Sequence, residues 1–310
     1  MGQGSRGFTM KKMKSNLMLL LTAFIWGCGF VAQRLGMDAV GPWTFGCLRN
    51  LIGGTTLLLL MPVLDKVRGN PAEADWHSPS LLKGGIACGI ALAAASMMQQ
   101  FGILYTTVGK AGFITSLYVV LVPLLSLFLG RRVRKIVWLS AAIAVCGLYF
   151  LSMSESALPS RGDLLVMVSA FLFSIHIMVI DYFSPLADGV RLSCLQFFTA
   201  GIICLVPMLL LEKPALAQII AGAGAILFSG VLSSGAAYTL QIVAQRDADP
   251  TAASLILSLE AVFAALTGFL ILHQSLSLRE LGGCVLMFAA IILAQLPERK
   301  KNSPLLRAGE

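Results

Sequence analysis

The chain has 310 residues, of which 57% are hydrophobic and only 12% charged, with a formal net charge of +8. A soluble domain carries about 25% charged and about 45–50% apolar residues, so this balance excludes an ordinary soluble enzyme, a disordered chain and a disulfide-stapled secreted domain. A membrane-crossing helix takes about 20 residues, so the length holds roughly ten helices and no soluble domain.

In chain order the apolar runs are 16–35, 43–63, 80–103, 110–130 and 135–152, then 162–181, 191–211, 222–245, 250–272 and 278–297. Residues 1–15 and 298–310 are left as tails. Lipid offers the backbone no hydrogen-bond partners, so each run must be helical. Lys11, Lys12 and Lys14 ahead of the first run look like the start of a signal peptide. That run is too long for one and lacks a small-residue cleavage site, which predicts an uncleaved first helix. The fold expected is an all-α integral membrane protein with ten transmembrane helices.

All seven cysteines (Cys28, Cys47, Cys88, Cys146, Cys194, Cys204, Cys284) lie inside apolar runs, there is no CxxC pair, and His77, His176 and His273 are far apart. These are reduced packing cysteines, and neither a metal site nor a cofactor is expected.

Orientation follows from Lys and Arg. With the N-terminus inside, the inner segments hold 17 of these cations and the outer ones only Arg34, Lys110, Arg161, Lys213 and Arg279. Short clusters of cations beside apolar runs are a topology signal rather than a nucleic-acid stripe. Both termini are therefore expected in the cytoplasm and the protein in the plasma (inner) membrane. The partners expected are a small-molecule substrate and the bilayer, with no nucleic acid; a homodimer is allowed.

The two halves repeat. Thr22–Gly27 matches Ser169–Ser174 at an offset of 147, and the same offset sets Cys47-Leu48-Arg49 on Cys194-Leu195-Gln196. Later, an offset of 143 sets Leu129-Gly130-Arg131 on Leu272-His273-Gln274. The units expected are 16–152 and 162–297. Five spans is an odd number, so the second unit enters the membrane inverted. The charges agree: Arg131–Lys135 face the cytoplasm, whereas the matching 273–280 segment carries only Arg279 against Glu280. Two like bundles inserted in opposite senses can exchange between two packings around a midplane site, which is the basis of alternating access.

Three segments, Ala23-Phe24-Ile25-Trp26-Gly27, Thr107-Val108-Gly109-Lys110-Ala111-Gly112 and Leu259-Glu260-Ala261-Val262-Phe263-Ala264-Ala265-Leu266, resemble the EamA-type members of the drug/metabolite transporter superfamily. The resemblance covers about residues 16–297. It implies ten helices, an inverted repeat, a cavity lined mainly by spans one, three, four, six, eight and nine, and export or exchange of small metabolites, often amino acids. One departure stands out: the family's Leu-Gly-Glu after the ninth span is Leu272-His273-Gln274 in this chain.

Polar groups are costly at midspan, so each is a candidate for the substrate pathway. Glu260, near the middle of the ninth span, either serves coupling or binding or braces a helix break. At the offset of 143 its equivalent is Leu117. His176 lies five residues from Asp181, too far round the helix to pair with it. It is either a cavity residue or a packing residue, and Asp181 reads as a solvated terminal charge. Ser234, Tyr238, Gln241 and Gln245 form one stripe on span eight, and Ser96, Gln99 and Gln100 end span three, followed by Tyr105. Of these, Gln100, Tyr238 and Gln241 are the pathway candidates; interhelical hydrogen bonding is the other account. Trp26 and Tyr118 offer flat faces for stacking or packing. Arg49 is expected to snorkel or to pair with Asp38, with substrate contact as the further alternative. Gly85, Gly89 and Ala93 form a small-residue face for close helix contact.

No HExxH, nucleophile elbow or P-loop is present, and the midspan carboxylates are too few for a dyad, so no enzyme is expected. Without an ATP site, transport must follow a gradient. Arg49 is the lone midspan cation, which disfavours anionic phosphates. The expectation is a secondary transporter, an exporter or exchanger, of small neutral or zwitterionic metabolites such as amino acids. The alternatives are a non-transporting membrane protein, such as a packing partner or receptor, and a lipid-modifying membrane enzyme.

Overall fold

The computed structural model describes residues 3–68, 76–106, 108–152, 160–272 and 278–295. The C-terminal tail, Thr107 and the His273-Gln274 end of the second motif lie outside the described residues, as does the side chain of Cys284. The described chain is helical, in the order α1 (Gln3–Met37), α2 (Pro42–Arg68), α3 (Pro79–Ile103), α4 (Val108–Thr115), α5 (Tyr118–Phe128), α6 (Lys135–Ser152), α7 (Arg161–Phe183) and α8 (Gly189–Pro207). It continues with α9 (Leu216–Ala221), α10 (Ala223–Leu227), α11 (Thr239–Gln245), α12 (Pro250–Leu257), α13 (Glu260–Leu272) and α14 (Leu278–Gln295). Two π-helical stretches, Met208–Glu212 and Phe228–Tyr238, extend α8 and join α10 to α11.

Among the described residues, eight helical runs are long and apolar enough to cross a bilayer, and the shorter apolar runs Lys135–Gly147 and Leu281–Ala294 complete ten. The first helix begins at Gln3, well before the apolar run does. Lysine is a good helix former, so the basic segment continues the helix beyond the apolar run.

Which spans touch shows the symmetry. Span one packs on spans eight and nine, and span six correspondingly on three and four. Span two packs on eight, and seven on three. Spans two and seven, four and nine, and five and ten pair with each other. Exchanging the halves maps this set onto itself, as a two-fold axis between two inverted repeats requires. Single hydrogen bonds repeat too. Thr22 Oγ1 donates to the Ala237 carbonyl at 3.1 Å, and Ser169 Oγ, 147 positions after Thr22, donates to that of Ala95 at 2.8 Å.

Spans four and nine are each interrupted at midspan, after Thr115 and after Leu257. The turns use matching bonds. Leu117 N donates to Ile114 O and Val119 N to Ser116 O, while Leu259 N donates to Ile256 O and Ala261 N to Ser258 O. These tight bonds keep the backbone paired inside the membrane. Serine supplies the cause: Ser258 Oγ bonds back to Leu255 O at 2.7 Å, a competition that bends helices, and Ser116 Oγ crosses to Ser258 O at 3.3 Å. The breaks align at an offset of 142, not 143, so the equivalent of Glu260 is Tyr118 rather than Leu117.

The long π-helical stretch has a register explanation. A Cβ on Gly89 would meet the Gln196 carbonyl, and one on Gly230 would meet the Arg49 carbonyl, so these equivalents are 141 positions apart. At the far end of the stretch, Ala95 and Ala237 are 142 apart. Span eight therefore carries one residue more than span three, and the wider winding absorbs it.

Spans two and seven are tied at both ends. Arg191 holds Asp65 through two bonds, Nη1–Oδ1 at 3.2 Å and Nη2–Oδ2 at 2.6 Å, and stacks over Trp76. At the other end Glu212 accepts from Trp43 N at 2.9 Å, Thr44 N at 2.7 Å and Thr44 Oγ1 at 2.6 Å. Asp65 and Glu212 are 147 positions apart, as are Thr44 and Arg191. Each carboxylate at the end of one span thus grips the start of the other. Asp188 caps α8 from within its own half; its equivalent is Gly41, which has no side chain, and Glu212 caps α2 in its place.

Candidate functional site

The midspan elements meet around a cavity near the two-fold axis. About 30 Å³ of it is open to the centre of a water molecule, room for about two waters. Span one contributes Trp26, Phe30 and Gln33 at helical spacing; span six contributes Phe173, His176 and Ile177. Span three adds Gln99, and span eight adds Ser233, Tyr238 and Gln241. The interrupted spans supply Thr115, Tyr118 and Glu260, and span two adds Arg49. Spans one, three, four, six, eight and nine are those the resemblance implied; span two is an addition.

Six of the seven sequence candidates, Trp26, Tyr118, His176, Tyr238, Gln241 and Glu260, lie on this cavity. Gln100 does not line it: its amide turns away to donate to the Pro42 carbonyl at 2.7 Å, and its neighbour Gln99 faces inward. On the stripe of span eight, Ser234 and Gln245 also lie off the cavity. Ser234 faces Arg49, and Gln245 Nε2 donates to Ile177 O at 3.2 Å. Asp181 is not a solvated end charge; it is mostly buried in an ion pair with Arg131.

Glu260 is the first residue of α13 and is 3% exposed. Its Oε1 accepts a hydrogen bond from the Tyr118 hydroxyl at 2.9 Å, so it both follows the break and faces the cavity. Gly27 makes this possible: a Cβ there would sit 2.4 Å from Phe263 Cβ and 2.9 Å from the Glu260 carbonyl oxygen. Only glycine lets span one approach the start of α13 so closely.

Arg49 is buried on the cavity rather than snorkelling, and Asp38 pairs with Arg34 instead. Arg49 Nε donates to Ser234 Oγ at 3.4 Å, with the Tyr238 phenol beside it. The Tyr238 hydroxyl lies within electrostatic reach of both Arg49 and Glu260. Its ring packs at 4.5 Å from that of Trp26, whose indole N–H donates to the Ser233 carbonyl at 3.4 Å, and at 5.9 Å from that of His176. Among the described residues the cavity thus offers one cation, Arg49, and one carboxylate, Glu260, beside the aromatic rings of Trp26, Tyr118 and Tyr238.

Several polar atoms on this wall have no hydrogen-bond partner among the described residues: Gln33 Oε1, His176 Nδ1 and Gln241 Oε1. His176 Nε2 is within 3.1 Å of Gln196 Oε1, so one side of the ring is held and the other is open to a further partner. Among the described residues no group of three or more His, Cys, Asp or Glu side chains could hold a metal ion. Among the polar cavity residues, sequence reasoning missed Gln33 and Thr115, favoured Gln100 over Gln99, and put snorkelling or pairing ahead of substrate contact for Arg49. The signal available for Arg49 was its charge within an apolar run.

The EamA-like transporter family model matches the chain twice, over residues 13–153 and 160–296. An uncharacterized transporter of Archaeoglobus fulgidus is 29% identical over 288 residues, covering 93% of this chain and 87% of its own. The uncharacterized transporter YwfM of Bacillus subtilis is 24% identical, covering 94% and 98%. A crystal structure 17% identical in sequence superposes with a TM-score of 0.75 over 91% of this chain and 96% of that one, which supports the fold. Two matched repeats, ten apolar helices and a shared midspan cavity agree: the chain is a multi-pass membrane protein of the EamA-like transporter family.

Proposed function

We propose that the protein is a secondary transporter of small zwitterionic metabolites such as amino acids, working by alternating access around the central cavity. The observation that carries the reading is the placing of Arg49 and Glu260 on one cavity, both within electrostatic reach of Tyr238. The guanidinium suits a carboxylate and the carboxylate suits an ammonium group. A phosphate would meet one cation and an opposing anion, which disfavours it. Trp26 and Tyr238 give the substrate's apolar part a flat surface.

The cavity is too small for an amino acid in this arrangement, so entry requires the two bundles to part at one face. The turns in spans four and nine are where that bending falls in this reading. The excess of Lys and Arg at one face supports placing both termini in the cytoplasm of a cell with the protein in its plasma membrane. The protein acts as a carrier and not as an enzyme.

Proteoliposomes containing the purified chain test this. They should exchange radiolabelled amino acids against an internal pool, and Arg49→Gln should raise KM for zwitterions. Absence of flux across a full amino-acid and amine panel refutes the reading.

A further inference from the structure

Gln99 and Gln241 are equivalent positions, at the offset of 142 fixed by Ala95 and Ala237. Both line the cavity, yet only one amide is tied back into the protein. Gln99 Nε2 donates to Thr115 Oγ1 at 3.0 Å, a bond from span three to span four within the first half. The residue equivalent to Thr115 is Leu257, which has no hydroxyl. Gln241 is 1% exposed and its Oε1 has no hydrogen-bond partner among the described residues. The fold therefore has a built-in way to satisfy a glutamine at this place, and the second half does without it. One helical turn back from Gln241, Tyr238 faces the ring of His176, whose Nδ1 is likewise unpartnered. Buried polar atoms are normally paired, so two such atoms on one cavity wall call for an occupant that pairs them.

We propose that Gln241, with His176, forms an uncharged polar subsite that selects zwitterions carrying a side-chain amide. A primary amide presents a donor and an acceptor together, which serves a glutamine amide in either orientation and an imidazole nitrogen in either tautomer. An alkyl group of the same shape leaves both unpaired, and a site built for hydrogen bonds rejects such analogues strongly. This inference rests on the cavity being the substrate site.

Full-length protein in proteoliposomes is assayed for kcat/KM with radiolabelled asparagine against leucine, and glutamine against methionine, two pairs of similar shape. The wild type should favour the amide member by about tenfold or more. Gln241→Leu should bring both ratios toward one. Leu257→Thr, which gives Gln241 the partner that Gln99 has, should lower the ratios with Gln241 intact, while Leu257→Met should not. A ratio unmoved by Gln241→Leu, or a wild type favouring leucine and methionine, overturns the subsite and leaves the carrier reading standing. No flux of any of the four overturns the carrier reading for zwitterions, and the subsite with it.

Discussion

The Tyr118 hydroxyl donates to the Glu260 carboxylate at 2.9 Å, and the two residues are each other's equivalents in the two halves. Each opens the second segment of an interrupted span. Equivalent residues touch only beside a two-fold axis, so this bond marks where the halves meet. The same place in the two repeats carries the donor in one half and the acceptor in the other, a division a strictly symmetric pair could not make.

That bond has a measurable worth. A double-mutant cycle of Tyr118→Phe and Glu260→Gln, read by thermal melting in detergent, should give a coupling energy of about 1–3 kcal/mol. A coupling near zero would mean that the pair is merely adjacent.

Glu260 is also the candidate for coupling to a proton gradient. In proteoliposomes Glu260→Gln should abolish accumulation driven by a pH difference while exchange across equal pH continues. Accumulation as strong as in the wild type would exclude that role.

The ties of spans two and seven should differ in strength. Asp65→Ala takes the bidentate partner from the Arg191 guanidinium, 3% exposed at its side chain, and leaves it only Asp188 at 3.4 Å; losing charged hydrogen bonds of this kind costs about 1.5–3 kcal/mol. Glu212→Ala removes a helix cap, which costs about 0.5–2 kcal/mol. Melting temperatures should therefore fall further for Asp65→Ala; the reverse order contradicts this account.

Gly27→Ala places a methyl group against Phe263 and the backbone at the start of α13. Packed helices must shift to admit it, an overpacking that costs about 1–3 kcal/mol. A melt indistinguishable from wild type would show that span one has slack there.

Gln99 lies toward the C-terminal end of span three and Gln241 toward that of span eight, and the two repeats are inverted, so the proposed alternating access reaches them from opposite faces. In a cysteine-free background, Gln99→Cys and Gln241→Cys should react with a membrane-impermeant maleimide from opposite sides of the vesicle. Labelling of both from one side alone would argue against alternating access.

Much of this was legible in the residues. Runs of apolar side chains mark helices because lipid allows little else, and an odd number of spans per repeat dictates inversion. What a run of apolar residues does not encode is rotation about the helix axis. Gln99 and Gln100 are neighbours about 100° apart on span three, and the packing of Gly85 on Leu195 and Gly89 on Thr199 turns Gln99 inward. Arg49 was misplaced for a like reason: its burial depends on Ser234 and Tyr238, 185 and more positions away. The π-helical winding of span eight arises from a single extra residue, visible only once equivalent contacts locate it. Asp65 and Glu212 look like charges at the ends of apolar runs, and nothing local announces that each closes on the other half.

Those two carboxylates have a mechanical consequence. Both are engaged at the same time, one at each membrane face. Tilting spans two and seven apart at either face would tear a carboxylate from its clasp, so the pair behaves as a fixed spindle. In the proposed alternating access the rest of the molecule would swing about it, with the spans that carry midpoint turns, four and nine, as the lever arms.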